Sequence, residues 1–230
     1  MIVVLKYNKC GSMKYISHID LLRHFTRAFR RAGLAIEYSE GFNPHMLINL
    51  GTPLPLGISS SAEYITVRTV EADGKTFMEK YNAVAPAGLE ATKAFTLESN
   101  PNLAGRTVAA DYAVKQVGAE KVRREVESVV NLLSLEMPIT KKGETTVKDV
   151  APMVNGVKVY PDSLNVCLAA GNTTLRPDRF TEFLAEKYGF TVKTAELWKY
   201  EQYVREGGVL LETDLYLERL SVKEEKGSEI

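Results

Sequence analysis

The stretch from Ser17 to Gly33 reads as one amphipathic helix set between strand-forming runs, which restricts the chain to folds in which helices cover a sheet. Ser17 stands three residues before Asp20, a capping-box arrangement with Asp in place of Glu or Gln, and Gly33 is a natural stop. Leu22, Phe25, Phe29 and Ala32 are spaced by three, four and three residues and predict the buried stripe. Asp20, His24, Arg27 and Arg31 recur at four, three and four on another face, flanked by Arg23 and Arg30. Ahead of the helix, residues 2–7 and 13–16 are apolar and β-branched around Gly11-Ser12 and read as one bent strand.

Beyond Gly33 come residues 34–39, the Gly41–His45 segment and residues 46–50, then a strand over 63–70, a helix over 74–84 and a strand over 89–97. The first hundred residues thus follow β-α-β-β-α-β, the order of a ferredoxin-like split βαβ unit. Ser99-Asn100-Pro101-Asn102 and Gly105 mark a boundary. After it the order returns: a strand at 109–117, a helix at 119–135, strand-like stretches within 139–153 and 157–170, a helix at 176–188 and a strand at 192–203. The span 136–170 has room for a third strand. The expectation is an α+β chain of two tandem ferredoxin-like (βαββαβ) domains, 1–100 carrying the candidate site and 105–220, followed by a disordered tail at 221–230.

Charge localises the interest. The chain balances 29 Lys and Arg against 29 Asp and Glu, which argues against indiscriminate coating of nucleic acid or anionic membrane. Yet residues 1–50 hold seven bases and three acids, so a +4 head is balanced by a −4 remainder, and all three histidines (His18, His24, His45) fall in that head. Cys10 and Cys167 form no CxxC pair, so a disulfide scaffold, a zinc ribbon or a cysteine-ligated cluster is poorly supported, and no metal or cofactor is expected. No apolar run reaches the length of a membrane span and no signal-peptide pattern opens the chain, so a cytoplasmic protein without a membrane partner is expected.

Arg23, Arg27, Arg30 and Arg31 on one helix, with His18 at its first turn, form a candidate phosphate-binding surface, because planar guanidinium forks match phosphate oxygens. A simply solvated arginine face is the alternative. Tyr15, Tyr38, Phe42 and His45 offer faces on which unpaired bases stack, though Tyr38 and Phe42 also fit a core role. The Gly41-Phe42-Asn43-Pro44-His45 segment reads as a defined turn presenting an aromatic, an amide and an imidazole, with a purely structural turn as the alternative. His18 and His24 are six residues apart, about 120° around a helix axis, and cannot clamp one ion together. His18 and His45 sit at element edges, where either is a general acid or base or a structural hydrogen-bond partner. Walker, dinucleotide-binding, nucleophile-elbow and RNP patterns are absent.

Tyr15-Ile16-Ser17-His18-Ile19-Asp20, then residues 30–34 (RRAGL), then residues 38–45 (YSEGFNPH), resemble the uncharacterised bacterial radical SAM-linked family. That domain of unknown function is found alone or fused C-terminal to B12-binding radical SAM proteins. Residues 53–57 (PLPLG), Glu63-Tyr64 and residues 175–178 (LRPD) fit the same resemblance, while Met46 stands where its members usually carry Pro. The resemblance implies a cytoplasmic bacterial protein and a radical SAM enzyme as a possible partner, but supplies no catalytic residues. The chain itself has neither a CxxxCxxC cluster motif nor a DxHxxG cobalamin motif.

The leading expectation is an RNA-binding module assisting tRNA or rRNA modification or processing, with Tyr15, His18, Arg23, Arg27, Arg30, Arg31, Tyr38, Phe42, Asn43 and His45 in contact with RNA. The alternatives are a metal-independent RNA endonuclease using His18 and His45, and an interaction subunit of a radical SAM enzyme.

Overall fold

A computed structural model describes residues 1–71, 73–141 and 143–227, with backbone only for 222–227. The chain is α+β and divides into two compact units, one formed by Met1–Thr107 with the segment from Tyr203 onward, the other by Val108–Gln202.

The first unit runs β1 (Ile2–Lys9), α1 (His18–Arg31), β2 (Ile48–Leu50), β3 (Ser59–Arg68), α2 (Gly74–Asn82), β4 (Ala91–Leu97) and the short α3 (Leu103–Arg106). Its antiparallel sheet has the order β4-β1-β3-β2, with Leu5 opposite Ile65 and Ala94, and Asn49 opposite Thr66. Both faces of β1 are buried. Val3, Leu5 and Tyr7 pack with Leu21, Phe25, Phe29, Phe77 and Tyr81 from α1 and α2, while Ile2 and Val4 face a second core. The expected bent strand ends at Lys9 instead. Gly11 enters the left-handed region at φ 58° and residues 11–15 coil into a 3-10 turn.

The second unit holds β5 (Thr107–Val117), α4 (Arg123–Glu127), β6 (Glu136–Lys141), β7 (Glu144–Asp149), β8 (Val154–Val159), β9 (Ser163–Ala169), α5 (Pro177–Tyr188) and most of β10 (Thr191–Glu206). Its sheet order is β10-β5-β9-β8, with β6 and β7 as a separate hairpin between α4 and β8. The span 136–170 therefore carries four strands, not two or three. The long helix expected at 119–135 is a five-residue helix between two 3-10 turns. Val122, Val126, Val129 and Val130 explain this, since β-branched side chains crowd the preceding helical turn, and no side chain caps the start at Val122.

After β10 the chain returns to the first unit through β11 (Val209–Glu212) and α6 (Thr213–Gly227). Val204, Leu211, Tyr216 and Leu217 pack with Ile2, Val4, Tyr64, Phe95 and Leu97 to complete the second core of that unit. The helix takes in residues 221–227, which the sequence reads as tail, and 228–230 lie outside the described residues. Among the described residues no helix is long and apolar enough to cross a membrane.

Candidate nucleic-acid interface

Helix α1 begins as its sequence predicts. The Ser17 hydroxyl accepts from the Asp20 backbone N–H at 3.1 Å and donates to the Asp20 carboxylate at 2.7 Å. That hydroxyl, and then Arg23 at 3.1 Å, hold the Asp20 carboxyl below its ordinary range. The buried face is Leu21, Phe25, Ala28 and Phe29, so the expected stripe is rotated: Leu22 is exposed and Ala32 only partly buried.

The opposite face presents the charges. Asp20, Arg23, His24, Arg27 and Arg31 line a groove of about 340 Å³. Arg27 has no hydrogen-bond or ion-pair partner among the described residues, Arg31 donates to the Val84 carbonyl at 2.8 Å, and Asp20 is the one acid in the groove wall. The groove is thus cationic and open to solvent. His24 lies half-buried in it, with Nε2 3.4 Å from the Tyr81 hydroxyl; burial, and then Arg31, hold its pKa below the ordinary histidine value.

Arg30 leaves this groove and reaches the Tyr38 hydroxyl at 3.4 Å. Tyr38 pairs with Met46 across a single bridge, and the intervening loop is closed by Ser39. The Ser39 N–H donates to the His45 carbonyl at 2.9 Å, and its hydroxyl accepts the His45 N–H at 3.1 Å and lies 2.8 Å from Nδ1. The Ser39 hydroxyl thus engages both the main chain and the ring of His45 and ties the imidazole to the base of the loop. Gly41, at φ 110°, permits the turn, and Phe42 at its tip is fully exposed, with Asn43 exposed beside it.

The sequence-predicted residues do not converge on one point. His18 and Tyr15 sit at the start of α1, about 20 Å along the helix from Arg30 and Arg31 at a rise of 1.5 Å per residue. His18 lines a narrow pocket with Tyr7, Lys9, Leu54 and Glu63. Lys9 and Glu63 are almost wholly buried there, and burial, with Glu63 and then Tyr81 nearby, pushes the Tyr7 phenol far above its usual range. His45 instead lines a cleft of about 320 Å³ with Asn49, Thr66, Arg68 and Asn100. Sequence reasoning missed these four, and Lys9 and Glu63 as well. A lysine and a glutamate inside β-branched strand runs were the available signal for the buried pair. Among the described residues no group of three or more His, Cys, Asp or Glu is placed to hold a metal ion.

No curated protein matches the chain. The family model described as "Uncharacterized protein conserved in bacteria (DUF2344)" matches residues 3–177, a span that includes α1, the 39–45 loop and both clefts. Its description contains no link to radical SAM proteins. With three quarters of its length inside that match, the chain belongs to this uncharacterised family conserved in bacteria.

Proposed function

We propose that the chain is an RNA-binding module that assists modification or processing of tRNA or rRNA. The observation that carries this reading is the α1 groove, where Arg23, Arg27 and Arg31 stand on one exposed face with a single acid among them. Guanidinium groups so spaced match successive backbone phosphates, and exposed Tyr15, Tyr38 and Phe42 supply faces for unpaired bases. Arg30 extends the track toward Tyr38, His18 lies at the other end of α1, and Asn43 and His45 belong to the loop that follows Tyr38. The enzyme served is, by the resemblance, of the radical SAM class. His18 and His45 line different clefts, which favours binding over cleavage by that pair. The same reading takes both units as ferredoxin-like, supported by their strand orders β4-β1-β3-β2 and β10-β5-β9-β8.

Fluorescence anisotropy with labelled tRNA at several salt concentrations tests the reading. Binding should weaken steeply with salt, and Arg23→Ala with Arg27→Ala should reduce the log–log slope by about 1.5, near 0.7–0.9 for each phosphate no longer neutralised. Both side chains are exposed, so the double variant should keep the fold. Salt-independent binding, or none to tRNA or rRNA, contradicts the proposal.

A further inference from the structure

The cleft lined by His45 lies on the sheet face opposite α1. Ile2 and Val4 turn away from the α1 core, and their cross-strand partners Arg68 and Thr66 share that face. Strand β2 adds Asn49 directly opposite Thr66, and the Asn100–Asn102 turn closes the far side. The 320 Å³ cleft continues past Asn49, Thr66 and Asn100 into a second hollow of about 160 Å³ reaching Asn102. Combined, they fall in the size range of sites that enclose a small ligand.

The lining is selective in its chemistry. The Arg68 guanidinium and the Asn49 amide have no hydrogen-bond partner among the described residues. Asn100 has its Oδ1 on the Asn102 N–H at 2.8 Å, which leaves its NH2 group to donate. Thr66 is nearly buried yet lines both hollows, and the Ser39 hydroxyl holds the His45 ring through Nδ1 at 2.8 Å. No Asp or Glu lines either hollow. One end therefore carries a cation beside an imidazole, and the middle carries amides and a hydroxyl able both to donate and to accept.

We propose that this cleft is a mononucleotide site, taking phosphate on Arg68 and His45 and the base or ribose edge on Asn49, Thr66 and Asn100. The assignment rests on the RNA reading, and it places one unstacked nucleotide of the bound RNA here while the α1 groove holds backbone. Amides read the hydrogen-bonding edges of splayed bases, and an arginine fork grips the attached phosphate.

Titration of the full chain with each of the four 5′-ribonucleoside monophosphates, and separately with inorganic phosphate, followed by amide and side-chain NMR, tests it. At least one nucleotide should shift Asn49, Thr66, Arg68 and Asn100 and bind more tightly than phosphate alone. Arg68→Ala, at an exposed and unbonded side chain, should weaken that nucleotide about tenfold, the loss of one or two charge-assisted hydrogen bonds. Arg179→Ala, an exposed change in the second unit, should leave mononucleotide affinity unchanged. No mononucleotide binding, binding indifferent to Arg68→Ala, or phosphate binding as tightly as every nucleotide each overturns the site. Wild-type anisotropy with tRNA, run alongside, separates the two failures: RNA bound but no mononucleotide at Arg68 defeats only the cleft, whereas no RNA bound defeats the module.

Discussion

Asp214 and His24 show one physical cause, burial, ending in different balances. Burial alone would raise the Asp214 carboxyl, but Lys93 at 2.7 Å, Tyr64 at 2.6 Å and Lys6 at 3.0 Å outweigh it and hold the pKa below the ordinary carboxylate value. Its stabilising contribution is therefore complete above the unfolded carboxylate pKa of about 3.9 and is lost as pH falls through that value toward the folded one. Asp214→Ala removes this carboxylate from beside the buried Lys6 ammonium and the Tyr64 hydroxyl and should cost about 3 kcal/mol in urea denaturation at pH 7. A loss no larger than for an exposed acid such as Glu212 would contradict this account. At His24 the Arg31 charge adds to the desolvation, so the fold favours its neutral form. Its contribution is complete above the unfolded histidine pKa of about 6.5 and declines as pH drops below it. Histidine NMR should place its midpoint below that of an unperturbed histidine, about 6.5. The Lys6–Tyr64–Asp214 cluster had no sequence signature, because its members are up to 208 residues apart.

Elements with local signals were legible, and those depending on distant partners were not. Helix α1 announced itself through its cap and spacing, yet the phase of its buried face shifted by about one position. Phe25 and Phe29 belong to both versions of the stripe; neighbouring α2 and the sheet select Leu21 and Ala28 rather than Leu22 and Ala32. Phe25 packs edge-on against Tyr7 at 4.9 Å and lies tilted against Phe29 and Tyr81, each at 5.5 Å. Phe25→Ala should therefore cost about 3–5 kcal/mol, measured by chemical denaturation, whereas exposed Leu22→Ala should cost well under half as much. Gly88→Ala should also destabilise: φ is +90° and the new Cβ would run into the Cys10 carbonyl oxygen, so a drop in melting temperature is expected. The arginine side of the site was readable because one helical period displays it. The His45 cleft was not, since Asn49, Thr66, Arg68 and Asn100 meet only through the pairing of β2 with β3 and the return at residue 100.

At the scale of the molecule, the first unit is discontinuous in sequence, and no local pattern announces that residues beyond 203 rejoin it. A fragment ending at residue 107 lacks Val204, Leu211, Tyr216 and Leu217, which leaves Ile2, Val4, Tyr64, Phe95 and Leu97 uncovered. Such a fragment should bind a hydrophobic dye and unfold without cooperativity, and a peptide spanning 203–230 supplied in trans should reverse both effects. Synthesis runs from the N-terminus, so β11 and α6 emerge only after the whole 108–202 unit has been made. At about 5–20 residues per second this leaves the apolar sheet face waiting roughly 5–20 s on the ribosome. The nascent chain therefore passes through an interval in which a chaperone or protease can reach that face. Ribosome-stalled chains ending near residue 202 should be cut readily within the first unit, and protection from protease at that stage would count against this order of events.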